Sequence, residues 1–437
     1  MSAVTEGTPR RGRHRAERPG SPLRAMAGRL GWGLGDQAVS SLTNFAVGLY
    51  VARSLGATAF GVFSLAWVTY GVIINISRGL GTDPLMVRFS GVATQIWRAA
   101  TARAAGTALA VGVGTGALSV LVGLAIGGQV GLAFVGLGIV LPFLTLQDSW
   151  RFGFFAAGQG HRAFLNDVVW GVALAPAMIF AAKHGSVLGF VLAWGLSGGV
   201  AALFGCFQTG ILPRPSAVRG WLRDQRDLGT RYLIENVSNS GASQLRAYGL
   251  GAIAGLAAVG TVRGAELLQG PFQAVLMGLS LVTVAEAARV LRRAPHRLPL
   301  FCLLLGAGQA VAALAWGLAL LFLLPDVIGV HLLGSIWSGA QALILPATIS
   351  VMGASFSTGA ASGLRALGLA RRSLRSQVIV SACYLVGGLI GAAVAGAVGS
   401  AWGVAIATTT GSAIWWVQLR AGMREHSHLS TVEMRPI

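Results

Sequence analysis

Charge is scarce in this chain. Only 11% of its 437 residues are Asp, Glu, Lys or Arg, against roughly 25% in a soluble globular domain. Acids are rarer than bases, 14 against 33, and Lys183 is the only lysine. Cysteine is nearly missing. Cys206, Cys302 and Cys383 lie far apart inside apolar runs, so no disulfide framework or Cys/His metal site is legible, and buried inert thiols are expected. The histidines, among them His161, His184, His296 and His331, form no set with Asp or Ser suited to catalysis. The GQG at 158–160 is too weak for a phosphate loop, and no GxxxxGKS/T stretch occurs, which leaves no sign of an ATPase. No cofactor is implied.

What the chain has is apolar surface. Hydrophobic residues make up 54% and glycine numbers 63; the mean hydropathy is +0.68. A core alone does not account for this over such a length, whereas a polytopic membrane protein with an apolar outer face does. Glycine in such numbers suits close helix packing in a bilayer. The net charge of +19 does not point to nucleic acid, because the arginines punctuate the apolar runs instead of forming one basic domain.

Spans of about 20 apolar residues cross a bilayer. Twelve are predicted, at 32–52, 60–80, 105–126, 130–148, 164–183, 186–208, 230–252, 257–282, 298–323, 337–361, 376–396 and 399–419. With the N-terminus inside, 29 of the 33 basic residues fall in the two tails and the loops after even-numbered spans. One miscounted span would scatter them, so the charge alternation supports twelve helices with both termini cytoplasmic in a plasma (inner) membrane. The outer connections are little more than turns. Arg10 and Arg11 are followed by no export-type apolar stretch. The organisation expected is a disordered basic tail at 1–29, a six-helix bundle at 30–208, a cytoplasmic linker at 209–229, a second bundle at 230–420 and a tail at 421–437.

The chain also repeats. Shifted by 199 positions, DQAVSSLTNFAVGLYVARSLGATAFG from Asp36 lies over ENVSNSGASQLRAYGLGAIAGLAAVG from Glu235. Asp36 then meets Glu235, Ser41 meets Ser240, Gly56 meets Gly255 and Gly61 meets Gly260. Spans one and seven run the same way, so the halves would be parallel repeats with a binding site between them near the midplane.

Polar residues are striped along three of these spans. At 100° per residue, Asn239, Ala242 and Arg246 share the azimuth of Glu235, and Ser243 widens the stripe. Span one carries Asp36, Ser40, Thr43 and Asn44; span eight carries Arg263, Glu266 and Gln273. A charge at the bilayer centre costs roughly 2.5–3.5 kcal/mol on insertion scales. A wet cavity between the halves would remove most of that cost. The competing reading is internal pairing, of Arg263 with Glu266 above all, with Asp36 and Glu235 solvated at the inner interface.

The segment GDQAVSSLTNFAVGLYVARSLGATAFGVFSLAWV resembles the first hairpin of Wzx-type polysaccharide flippases, which belong to the multidrug/oligosaccharidyl-lipid/polysaccharide exporter (MOP) superfamily. AVGTVRGAELLQGP from Ala258 is similar to that family's eighth helix, and GLRALGLARRSLRSQV from Gly363 to its loop after span ten. The resemblance implies an all-α membrane protein, a MATE-like fold of two parallel six-helix bundles around a central cavity. It implies a transporter, not an enzyme, that flips an undecaprenyl-diphosphate-linked oligosaccharide by alternating access. Arg246, Arg263 and Arg53 would hold the diphosphate; Asn239, Ser243, Asn44 and Thr43 would meet the sugars; Asp36, Glu235 or Glu266 would carry a coupling proton or sodium. Val47 stands where the repeat would place a partner for Arg246, so the cationic lining is lopsided. The expected partners are the lipid-linked glycan, membrane lipids and the pathway's glycosyltransferases or polymerase. The alternatives are a lipid II flippase, an ion-coupled drug exporter of the same superfamily, and a polytopic glycan polymerase or ligase, which usually needs a large outer loop that this chain does not offer.

Overall fold

A computed structural model of the chain describes residues 22–433, without the side chains of 22–34, 235, 237–240, 277–282, 284, 285, 370 and 426–433. Helix dominates, and no strand occurs among the described residues. The helices in order are α1 (Pro22–Ser77), α2 (Asp83–Phe89), α3 (Thr94–Ile126), α4 (Gly128–Ala156), α5 (Gly160–His184), α6 (Val187–Thr209), α7 (Val218–Asp224), α8 (Arg226–Ala254), α9 (Leu256–Arg293), α10 (Leu298–Phe322), α11 (Asp326–Leu333), α12 (Trp337–Ala366) and α13 (Ala370–Glu433). The first and last extend into stretches expected to be tails. The rest of those tails lies outside the described residues.

Among the described residues, eight helical stretches are long and apolar enough to cross a membrane. The first and last of them each fold back on themselves, at Gly56 in α1 and at Ala395–Gly396 in α13. The helices α8 and α9 are long enough to span as well, and carry polar residues such as Gln244, Arg246, Arg263, Glu266 and Gln269. Counted this way the described helices make twelve passes, as the apolar runs predict. Helices α1 to α6 form one bundle and α8 to α13 the other, with α1 packed against α8 and α9 between them.

The repeat is visible in the backbone. Gly56 has φ 73° and ψ 171°, and Gly255, 199 residues later, has φ 84° and ψ 169°. A side chain at positive φ is strained, so glycine lets each half turn back without a loop. Gly158 and Gly368 mark a second matched turn, now 210 residues apart. The offset grows because α3 meets α4 at Gly127 alone, whereas α11 is inserted between α10 and α12.

The two halves cross at another matched pair. A Cβ on Gly61 would lie 1.9 Å from the Leu256 carbonyl oxygen, and one on Gly260 would lie 2.0 Å from that of Ala57. Only a bare backbone fits at this crossing, which closes the molecule at its charge-poor end. The arginine-rich ends of the helices gather at the opposite, basic end.

Candidate functional site

Below the glycine crossing the halves separate around a cavity of about 1030 Å³. The second bundle supplies most of its wall, through α8, α9, α12 and α13. From the first come Ala38, Ser41, Leu42, Asn44, Phe45 and Trp67, none of them charged. Leu42 is 67% exposed although it lines the cavity, and Asn44 and Gln273 are exposed too, so the cavity opens between the basic-end halves of α1 and α9.

The charges sit on one side. On α9, Arg263 and Glu266 are three residues apart, and Arg263 Nη1 donates to Glu266 Oε2 at 3.1 Å. From α8, Arg246 Nη2 reaches the other carboxylate oxygen at 2.5 Å. Glu266 therefore bridges two arginines, and the triad carries one positive charge in excess. Arg246 is 5% exposed. Its guanidinium carbon stands 5.2 Å from the centroid of the Tyr384 ring, a cation–π arrangement. Its stem passes Gly388, where a Cβ would come within 2.7 Å of Arg246 Cδ. Arg246 Nε has no hydrogen-bond partner among the described residues. Desolvated charges interact far more strongly than they would in water, so the surplus charge gives this wall a strong preference for anions.

The remaining predicted site residues are dispersed. Asn44 lines the cavity. Thr43 lies instead beside α5, where a Cβ on Gly171 would be 3.7 Å from its Oγ1. Arg53 is exposed near the charge-poor turn, outside the cavity lining. Ser243 is exposed on α8 and does not line the cavity. The side chains of Glu235 and Asn239 lie outside the described residues. Val47 is buried in the core, which leaves the first bundle's wall without a cation.

Asp36 is fully buried inside the first bundle, not solvated at its end. Arg151 of α4 donates to Asp36 Oδ2 through Nε at 2.6 Å and approaches Asp167 Oδ2 of α5 at 3.7 Å. Close by, Arg78 donates through Nε and Nη2 to the two oxygens of Asp148, at 3.0 and 2.7 Å. Gln147 Nε2 donates to Asn166 and Asp167. The cluster thus holds three carboxylates and two guanidiniums, and Asp36 Oδ1 has no partner among the described residues. Sequence reading missed it for two reasons. Arg151 lies beyond the predicted span 130–148, whereas α4 runs on to Ala156, and pairs between helices leave no periodic signal in either one. The i,i+3 pair Asp148–Arg151 at the end of span four was the available hint.

No family model matches the chain, and no curated protein matches it in sequence. Solved structures match it closely in fold. An inward-facing MATE-family multidrug resistance transporter of the MOP superfamily superposes with a TM-score of 0.65 at 17% identity, over 88% of this chain and 94% of that one. The lipid II flippase MurJ in an inward closed conformation gives 0.67 at 8% identity, over 91% and 87%. An outward-facing MATE-family transporter gives 0.55 at 16% identity, over 93% and 97%. The chain has the MOP fold: an all-α membrane protein of two parallel six-helix bundles around a central cavity.

Proposed function

We propose that the protein is a transporter that flips an anionic lipid-linked oligosaccharide, carried on a polyprenyl diphosphate, across the plasma membrane. The observation that carries this reading is the arginine pair bridged by Glu266 on one wall of a cavity whose opposite wall is neutral. A diphosphate would replace Glu266 as the acceptor for Arg246 and Arg263 through charge-assisted hydrogen bonds. The sugars would meet Ser41, Asn44 and Trp67, and the prenyl chain would leave between α1 and α9, past the exposed Leu42 and Val275. The basic end is cytoplasmic by the distribution of arginine. Moving negative charge away from it is favoured by an inside-negative potential, by about 2.3 kcal/mol per charge per 100 mV. The carboxylate in excess around Asp36 is the group assigned a coupling proton or sodium. The bundles then rock so that the Gly61–Gly260 crossing parts and the cavity is exposed on the other side. Glycosyltransferases and the polymerase of the same pathway are its expected neighbours.

Reconstituted in proteoliposomes with a fluorescent polyprenyl-diphosphate glycan, the parent protein should move the label between leaflets. Arg246→Ala and Arg263→Ala should each slow it roughly ten-fold or more at equal protein content, since a charged hydrogen bond is worth about 1.5–3 kcal/mol. Unchanged rates in both variants would overturn the reading. The fit to MurJ favours lipid II as a second cargo with the same diphosphate chemistry; parallel assays with the two lipids separate them.

A further inference from the structure

A second basic recess lies far from the cavity, at the turn between α9 and α10. Arg289 and Arg293, one helical turn apart near the end of α9, and Arg297 at the start of α10 surround a hollow of about 520 Å³ together with Leu300, Phe301 and Leu304. Arg289 pairs with Glu286. Among the described residues, Arg293 and Arg297 have no ion-pair partner. Three arginines against one glutamate leave the recess with two positive charges in excess.

The repeat shows that these charges are open by construction. In the first repeat Arg98, near the start of α3, donates to the carbonyl oxygens of Thr209 and Gly210 at 2.8 and 2.7 Å. Nearby, Arg88 and Arg103 are taken up by Asp227 and Asp224. The linker between the bundles therefore fills the basic end of the first repeat. At the corresponding end of the second, Arg293 and Arg297 have no such cover among the described residues.

The floor of the recess continues into an apolar stripe. Leu300, Leu304, Val311, Leu314 and Leu318 are all exposed and fall on one face of α10. From Leu300 to Leu318 the stripe is about 27 Å long, close to the roughly 30 Å hydrocarbon thickness of a bilayer. An anion-binding head above a lipid-facing ladder has the shape of a phospholipid at the interface, with its phosphate among the arginines and its acyl chains along α10. We propose that this recess is a binding site for an anionic phospholipid of the leaflet at the basic end. Zwitterionic lipid supplies no net charge to match the surplus. The cargo cavity shares none of these residues, so the two sites stand or fall separately.

The test uses the full-length protein in nanodiscs of phosphatidylcholine carrying a trace of phosphatidylglycerol with a photoreactive acyl chain. Adducts should concentrate on the peptide containing Leu300 and Leu304, and Arg293→Gln with Arg297→Gln should reduce them roughly thirty-fold, as expected for losing two interfacial basic residues. A photoreactive phosphatidylcholine should show no such focus, and glycerol phosphate in solution should not compete. The double lysine variant, Arg293→Lys with Arg297→Lys, should keep most of the labelling, which guards against loss through misfolding. Adducts spread evenly over the apolar surface, equal focusing of both lipid probes, or displacement by glycerol phosphate would each overturn the proposal.

Discussion

Glu266 holds two arginines with one carboxylate, and the partners are unequal. Arg246 is buried, while Arg263 has a side chain 33% exposed. Glu266 itself has a side chain 34% exposed, so the roughly 3–5 kcal/mol cost of stranding a buried charge is an upper limit for Arg246, while an exposed pair contributes about 0–1 kcal/mol. Glu266→Ala is therefore expected to lower the unfolding temperature in detergent markedly and Arg263→Ala only slightly; equal losses would show that the bridge is not where the energy lies. A second residue-scale prediction concerns Asp224, in the segment joining the bundles. Arg103 donates to it at 2.5 Å, and this hydrogen bond, aided by the charges of Arg103 and Arg223, holds its carboxyl below the ordinary value of 3.8. A depressed pKa stabilises the fold above the unfolded value and is lost as pH falls through the folded one. Asp224→Asn should thus melt earlier than the parent at pH 7 and at pH 5, and the gap should close well below pH 3.8. A gap that does not shrink as the pH is lowered below 3.8 would contradict it. The stripe on span one shows how far such detail was legible. Asp36 and Thr43 are seven residues apart and share an azimuth, which faces the bundle; Asn44 and Ser41 are turned from it by about 80° and 140° and face the cavity. Sequence reading grouped Asp36, Thr43 and Asn44 because a stripe that wide serves two neighbours at once.

At the scale of helices, the passes were legible because hydropathy and arginine placement alternate with the same beat, and both follow from the cost of polar groups in lipid. The glycine pairs that the repeat aligns turn out to be matched in the backbone: Gly56 and Gly255 adopt one conformation, and Gly61 and Gly260 form one crossing. What stayed hidden was pairing between helices, such as Arg151 with Asp36, and the fate of the linker. That segment is docked on the first bundle. Trp221 is buried and its Nε1 donates to the Leu80 carbonyl at 3.0 Å, while Arg214 N donates to the Ala102 carbonyl at 2.9 Å. The crossing yields an element-scale prediction. A methyl group at Gly260 would meet the Ala57 carbonyl at 2.0 Å, and overpacking of this kind costs about 1–3 kcal/mol. Gly260→Ala should weaken the seal at the charge-poor end, seen as lower thermal stability and faster labelling of probes placed beside the cavity from that side. Gly114→Ala, where a Cβ meets nothing within 4 Å, is the control and should do neither.

At the scale of the whole molecule, the two repeats share a backbone plan but divide the chemistry. The first bundle buries an acid-rich ion cluster away from the cavity and presents it a neutral, partly aromatic wall. The second presents the arginines. A transporter built this way would bind the anionic part of its cargo on one bundle and use the other to sense a coupling ion, so that binding and coupling meet only through the rocking of the halves. This division rests on the cavity being wet, open at the basic end and positive. Reactivity of a cysteine placed at Asn44, in a background with Cys206, Cys302 and Cys383 replaced by alanine, measures all three properties at once. An anionic thiol reagent should react roughly three- to ten-fold faster than a cationic one of similar size, as a cavity lined by one sign of charge focuses its counter-ions, and Arg246→Gln with Arg263→Gln should erase the bias. An unreactive cysteine, or one that reacts equally with both reagents in the parent protein, would contradict the account.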